Sequence, residues 1–158
     1  MKHRALAVAI TAMTFALLAA PALARPLAPG GITRQEAADW LTEKGYPASV
    51  HPDSNGLSIV TSKISGVTFD IYFFGCEQDR CRGIQYAAGW SGVSAASIAK
   101  VNNWNTEYRY LRTYSRNNNV IFAEYDVDVS PGGTWEQLDK SLERFGEMLP
   151  TFKTYMGF

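Results

Sequence analysis

Between Gly66 and Ala88 the chain reads GVTFDIYFFGCEQDRCRGIQYAA, a pattern that predicts a long β-hairpin with a cysteine on either side of its turn. Val67 to Cys76 goes out, Glu77-Gln78-Asp79-Arg80 turns, and Cys81 to Ala88 comes back. Setting Cys76 opposite Cys81 puts Phe73 opposite Ile84 and Ile71 opposite Tyr86. That register gathers Val67, Phe69, Ile71 and Phe73 with Ile84, Tyr86 and Ala88 on one face. A slip of one residue would undo the sorting, because side chains alternate along a strand. The other face carries Asp70, Tyr72 and Phe74, with Gln85 across from Tyr72 and Gly83 across from Phe74. Two readings of that face stay open. Either a helix covers it, or Phe74 fills the space over Gly83, and it is scaffold; or Tyr72 and Phe74 present an aromatic strip to solvent and form a candidate binding surface, as exposed apolar patches do.

The first 24 residues predict a secretory signal peptide rather than part of the fold. Lys2, His3 and Arg4 are a basic start, Ala5 to Ala20 is a mostly apolar run, and Ala22-Leu23-Ala24 is an A-x-A cleavage pattern. The run falls short of the roughly 18 to 20 residues that span a bilayer, and Pro21 ends it, so no membrane span is expected after cleavage. The expected address is the exported, periplasmic side. Loss of Lys2 and Arg4 leaves 13 basic residues against 15 acidic ones, which gives no electrostatic footprint for nucleic acid. Residues 25–31, RPLAPGG, have the proline and glycine content of a short flexible lead-in, and residues 32–158 have the length of one domain.

In an oxidising compartment the pair Cys76-x4-Cys81 favours a structural disulfide over free thiols. It lacks the C-x-x-C spacing of thioredoxin-like catalysts and the further ligands of a zinc site.

The rest of the chain alternates helix and strand signals. Thr33-Arg34-Gln35-Glu36 is a capping box that opens a helix burying Trp40 and Leu41, stopped by Gly45 and Pro47. Ala48 to His51 and Leu57 to Thr61 predict strands on either side of the turn Pro52-Asp53-Ser54-Asn55-Gly56. Ser94 can cap a second helix with Ile98, Val101, Trp104 and Tyr108 at helical spacing. A second hairpin joins Arg112 to Arg116 with Val120 to Val129 through Asn117-Asn118-Asn119. Thr134-Trp135-Glu136-Gln137 reads as a second capping box opening a closing helix of about four turns, in which Leu138, Leu142, Phe145, Leu149 and Phe152 recur every three or four residues and Pro150 is expected to kink or end the helix. The expectation is an α+β fold: an antiparallel sheet of about five to six strands with three helices.

Candidate chemistry is sparse. Glu124, Asp126 and Asp128 alternate along one strand and have the atoms for a metal or for paired-carboxylate catalysis, with His51 the sole histidine after processing. A flat strand offers few of the six to eight oxygens that calcium takes, so a solvated outer face is the plainer reading. With Arg116 opposite Val120, Arg112 would face Glu124 and neutralise part of the stripe. His51 beside Pro52 has no partner by spacing, and no G-x-S-x-G, H-E-x-x-H, P-loop or dinucleotide fingerprint is present. No catalytic residue and no cofactor is therefore assigned. Trp104, Asn105 and Arg109 offer a second candidate binding shelf, with Trp104 stacking on a ligand and the amide orienting it; the plainer reading is helix core and local capping.

In its order of elements and in several segments the chain resembles the YbjN-like domain family of bacterial sensory transduction regulators. The segments are Cys81-Arg82-Gly83-Ile84-Gln85-Tyr86, Ile98-x-x-Val101-Asn102-x-Trp104-Asn105, Tyr108-Arg109-Tyr110, and Tyr125-Asp126-Val127-Asp128 before Gly132-Gly133. The resemblance implies a fold similar to type III secretion chaperones, proteins that commonly dimerise and bind extended segments of their clients. The reading of the whole is an exported, non-enzymatic module that holds a protein segment or a small ligand, with a homodimer among the expected states. The rival is a small envelope enzyme built on Glu124, Asp126 and Asp128.

Overall fold

The computed structural model describes residues 24–116 and 119–158. Residues 1–23, most of the expected signal peptide, and Asn117 and Asn118 of the second hairpin loop lie outside them. The elements are α1 (Arg34–Glu43), β1 (Ala48–Pro52), β2 (Ser58–Ile64), β3 (Val67–Glu77), β4 (Arg80–Trp90), α2 (Ala95–Glu107), β5 (Arg112–Arg116), β6 (Val120–Asp128) and α3 (Trp135–Met156). The strands form one antiparallel sheet in the order β1-β2-β3-β4-β6-β5. The first four follow as a meander. The chain then leaves through α2, and β6 returns between β4 and the edge strand β5.

The central hairpin takes the register set by its cysteines. Cys76 lies opposite Cys81, Phe73 opposite Ile84 and Ile71 opposite Tyr86. The turn is tighter than expected, since Glu77 still pairs with Arg80 and only Gln78 and Asp79 loop, Gln78 at a φ of 57°. The apolar face meets α3: Phe145 packs with ring centroids 5.3 Å from both Phe69 and Tyr86. Farther along, Trp90 and Trp104 both pack on Phe152. All three helices therefore lie on the side of the sheet that carries Phe69, Ile84, Tyr86 and Ile121.

The closing helix runs 22 residues, continues past Pro150, and ends at Gly157 in the left-handed conformation. Pro150 therefore does not end the helix, for two reasons. Proline removes the amide that would bond the carbonyl four residues back, which is that of Gly146. Here the Ser65 hydroxyl donates to that carbonyl at 2.8 Å, so the orphaned acceptor is satisfied. Beyond the proline, Phe152 and Met156 are buried and anchor the last turns to the core. Gly146 also lets the sheet approach: a Cβ there would lie 2.5 Å from Ile64 Cδ1.

The lead-in is likewise not free. Leu27 donates to the Gly133 carbonyl at 2.9 Å, Trp135 donates to the Arg25 carbonyl at 3.0 Å, and Ile32 and Cys81 exchange two backbone hydrogen bonds. Leu27 and Ile32 are buried. The proline and glycine content that reads as flexible instead bends the chain back along the hairpin tip, where Gly31 at a φ of 104° touches the Cys81 carbonyl closely.

Helix α1 is fastened by two carboxylates. Its capping box is complete, and Glu36 also accepts from Arg80 at 2.7 Å. Asp139 of α3 accepts from Trp40 at 2.9 Å and from Lys44 at 2.5 Å. Burial disfavours both charges, yet Arg80 and Thr33 hold Glu36 below its ordinary 4.5. Lys44 and Trp40 likewise hold Asp139 below its ordinary 3.8. A depressed folded-state value contributes stability above the unfolded value that is lost as pH falls through the folded one. Thermal melts should therefore show a falling midpoint below about pH 4.5, and the Glu36→Gln, Asp139→Asn double variant should show a shallower fall. An equal slope in the variant would contradict this account of α1.

Candidate functional site

Among the described residues no helix packs on the opposite face of the sheet, and the register builds a trough there with the central strand as its floor. Three rungs cross β3, β4 and β6: Asp70–Ala87–Glu124, Tyr72–Gln85–Asp126 and Phe74–Gly83–Asp128. Two strand spacings separate the walls, about 10 Å. On this side of β4 the floor is low at Gly83 and Ala87, and between them the Gln85 side chain lies across to Asp126. One wall is aromatic. Phe74 is 51% exposed, and Tyr72 is half-buried with its hydroxyl pKa raised by burial and by the neighbouring charge of Asp70. The other wall is acidic, with Asp126 and Asp128 exposed and Gln85 donating to Asp126 at 2.7 Å. Phe122 closes one end by lying over Gly89.

Glu124 is only 5% exposed, although it faces the helix-free side. Arg112, opposite it in the register, pairs with it, and the Tyr114 hydroxyl donates to it at 2.5 Å. Burial, reinforced by the hydrogen bond to Glu124 and its charge, raises the Tyr114 pKa. Arg116 stacks over Tyr114 and Phe122. The neutralisation of the stripe by Arg112 is thus realised, and among the described residues no ion pair reaches Asp126 or Asp128, the two carboxylates of the trough wall.

The pieces of the rival enzyme do not assemble. His51 lies on β1, with β2, β3 and β4 between it and the stripe on β6. Its Nε2 is 2.6 Å from Thr61 Oγ1, and Thr61 donates to Asp70 at 2.5 Å. A hydroxyl in the middle of that chain separates imidazole from carboxylate, whereas a catalytic triad needs the imidazole in the middle. Among the described residues no group of three His, Cys, Asp or Glu is placed to hold a metal ion.

The second candidate shelf belongs to the scaffold. Trp104 is fully buried, stacked on Tyr108 at 3.9 Å between ring centroids, and donates to the Leu111 carbonyl at 3.0 Å. Asn105 donates to the Thr113 carbonyl at 2.7 Å and accepts from the Thr113 amide at 2.9 Å. Its side-chain amide thus occupies the outer edge of β5 as a neighbouring strand would, a device that blocks edge-to-edge pairing. Arg109 is exposed in the loop between α2 and β5. The five candidates therefore do not form one site: Tyr72 and Phe74 stand on the helix-free face, while Trp104 and Asn105 build the core and the sheet edge. Sequence reasoning took Asp126 and Asp128 as a separate feature and missed Ala87 and Gly89. The usable signal was the small residues Gly83, Ala87 and Gly89 at alternate positions of β4, interrupted by Gln85.

Three helices on one face of a six-stranded antiparallel sheet, the other face open, define a two-layer α+β module. Residues 33–158 match the model of the YbjN family, described as "Putative bacterial sensory transduction regulator". The chain belongs to the YbjN family, and that description points to a regulatory module rather than to catalysis. A search of curated proteins returns no match. Among solved structures, the crystal structure of YbjN from E. coli, a putative transcription regulator, superposes with a TM-score of 0.59 at 15% identity, covering 77% of this chain and 88% of that one. At that identity the likeness is one of fold.

Proposed function

We propose that this chain is an exported, non-enzymatic binding module that holds an extended basic segment of a partner protein along the helix-free face of its sheet. The observation that carries the reading is the trough over β4. Its width of about two strand spacings suits a single extended chain. Phe74 and Tyr72 offer apolar surface to one row of side chains, and Asp126 and Asp128 offer charge to lysines or arginines of the other row. Addition of a strand at an edge is less well served. Asn105 occupies the β5 edge, and β1 is five residues long and ends in Pro52. Export rests on the basic start, apolar run and A-x-A pattern of residues 1–24, and no helix among the described residues is long and apolar enough to cross a membrane.

The test uses two defined peptides of equal length, one alternating lysine with phenylalanine and one with glutamate in place of lysine, titrated into the 15N-labelled mature chain. The lysine peptide should shift the amides of Tyr72, Gln85, Ala87 and Asp126 saturably, and the glutamate peptide should not. Asp126→Lys with Asp128→Lys should remove the response. Shifts confined to the helical side, or none, would sink the proposal.

Export also bears on the hairpin. Cys76 and Cys81 face each other with Cα atoms 3.9 Å apart, and in the periplasm they are expected to form a disulfide. Mass spectrometry of the exported chain should then find it lighter by two hydrogens than the reduced chain. A Cys76→Ser, Cys81→Ser variant should still fold, less stable by about 2 kcal/mol on the chain-entropy estimate for so short a loop. Full thiol reactivity in the native exported chain would refute the staple.

A further inference from the structure

We infer that cleavage after Ala24 creates an α-ammonium group on Arg25 that pairs with the Glu136 carboxylate and ties the mature N-terminus to the start of α3. The inference rests on the export reading but is independent of what the sheet binds. Signal peptidase supplies the reaction class. Water adds to the Ala24 carbonyl, the Ala24–Arg25 bond breaks, Ala24 leaves with a carboxylate, and the released amine takes up a proton. The nitrogen so released is already in place: the Arg25 amide donates to Glu136 Oε2 at 2.8 Å. Around it the main chain is held by two hydrogen bonds, Trp135 donating to the Arg25 carbonyl at 3.0 Å and Leu27 donating to Gly133 at 2.9 Å, which together make the bridge of Pro26 with Thr134. A cut further upstream would leave an uncharged peptide amide facing Glu136, and a cut downstream would remove that nitrogen from the chain.

The surroundings favour a cation. Arg25 borders a cleft of about 270 Å³ formed by Trp40 and Trp135 with Glu36, Asp39 and Glu43 of α1. The cations nearby are spoken for, Lys44 by Asp139, Arg80 by Glu36, and the Arg25 guanidinium by Glu136 itself, on Oε1 at 3.5 Å, which leaves Oε2 to the main-chain nitrogen. From α3, Glu136 and Asp139 face the same region, and the charge of the Arg25 side chain already lowers the pKa of both. The positive end of the α3 dipole opposes an ammonium there, but its roughly half charge is smaller than the full charge of Glu136 in direct contact. For Glu136, its own backbone amide is the largest cause of a lowered value, against the opposing effect of burial, and the Arg25 amide adds to it.

A chain beginning at Arg25, released from a fusion by a protease that leaves no extra residue, tests the pairing by NMR titration of its α-amine. The amine should titrate above the ordinary range of about 7.7 to 8.0, and Glu136→Gln should return it toward that range. A raised folded-state value contributes stability below the unfolded value that is lost as pH rises through the folded one. The Arg25-first chain should therefore melt higher at neutral pH than a chain retaining Ala22-Leu23-Ala24, and the gap should close at alkaline pH. An amine at its ordinary value, or a raised value that persists in Glu136→Gln, overturns the inference. So does an exported chain whose N-terminal sequence begins elsewhere, an outcome that leaves peptide binding by the sheet untouched.

Discussion

Gly31→Ala is expected to destabilise the protein by about 3 kcal/mol or more, combining a φ forbidden to alanine with a backbone collision. The φ is 104°, and an added Cβ would lie 1.9 Å from the Cys81 carbonyl oxygen. That carbonyl accepts from Ile32 at 3.1 Å, so relief of the clash breaks the pairing that docks the lead-in to the hairpin tip. Gly45→Ala is the control. It carries a similar strain, at a φ of 84°, but nothing lies within 4 Å of its Cβ. It should cost about 1 to 3 kcal/mol, the strain alone. Urea unfolding of the two variants separates the contributions, and equal losses would mean that the lead-in does not dock as described.

Trp104→Ala should cost about 3 to 5 kcal/mol, the loss that accompanies truncation of a fully buried large aromatic. Trp104 makes edge contacts with Phe152 and Tyr155 and stacks on Tyr108, so its removal opens the junction of α2, α3 and the loop before β5. Its indole also leaves the Leu111 carbonyl without a donor. Arg109→Ala, at an exposed position of the same segment, should stay within about 0.5 kcal/mol of the parent. Denaturant midpoints distinguish the two. A stable Trp104→Ala chain that loses affinity for a ligand would restore the shelf reading of Trp104 and Asn105.

What could be read from the chain and what could not divide along sequence separation. The capping box at Thr33, the hairpin register at Cys76 and Cys81, and the pairing of Arg112 with Glu124 all follow from local spacing, and all are present. At Thr134 only half of the expected box forms: the hydroxyl accepts from the Gln137 amide, while the Gln137 side chain donates to the Asp128 carbonyl instead of turning back. The pairing of β4 with β6 does not follow from spacing, because α2 and β5 lie between them and two strands can neighbour each other in many orders. That pairing sets Asp126 and Asp128 opposite Tyr72 and Phe74 and turns two unrelated sequence features into the two walls of one trough. The course of α3 past Pro150 was hidden for the same reason: the group that satisfies the Gly146 carbonyl, Ser65, is 81 residues away. In the lead-in, composition misled. Glycine and proline there serve a close approach to Cys81 rather than freedom of movement.

The claim that the open sheet face holds a partner is tested most directly in the exported protein by a photo-crosslinking amino acid placed singly at Phe74, at Gln85 and, on the helical side, at Glu147. The account predicts one discrete adduct from positions 74 and 85, joined to a lysine- or arginine-rich segment of the partner, absent from position 147 and abolished by Asp126→Lys with Asp128→Lys. Adducts from position 147 alone, or the same adducts in the charge-reversed chain, would contradict it.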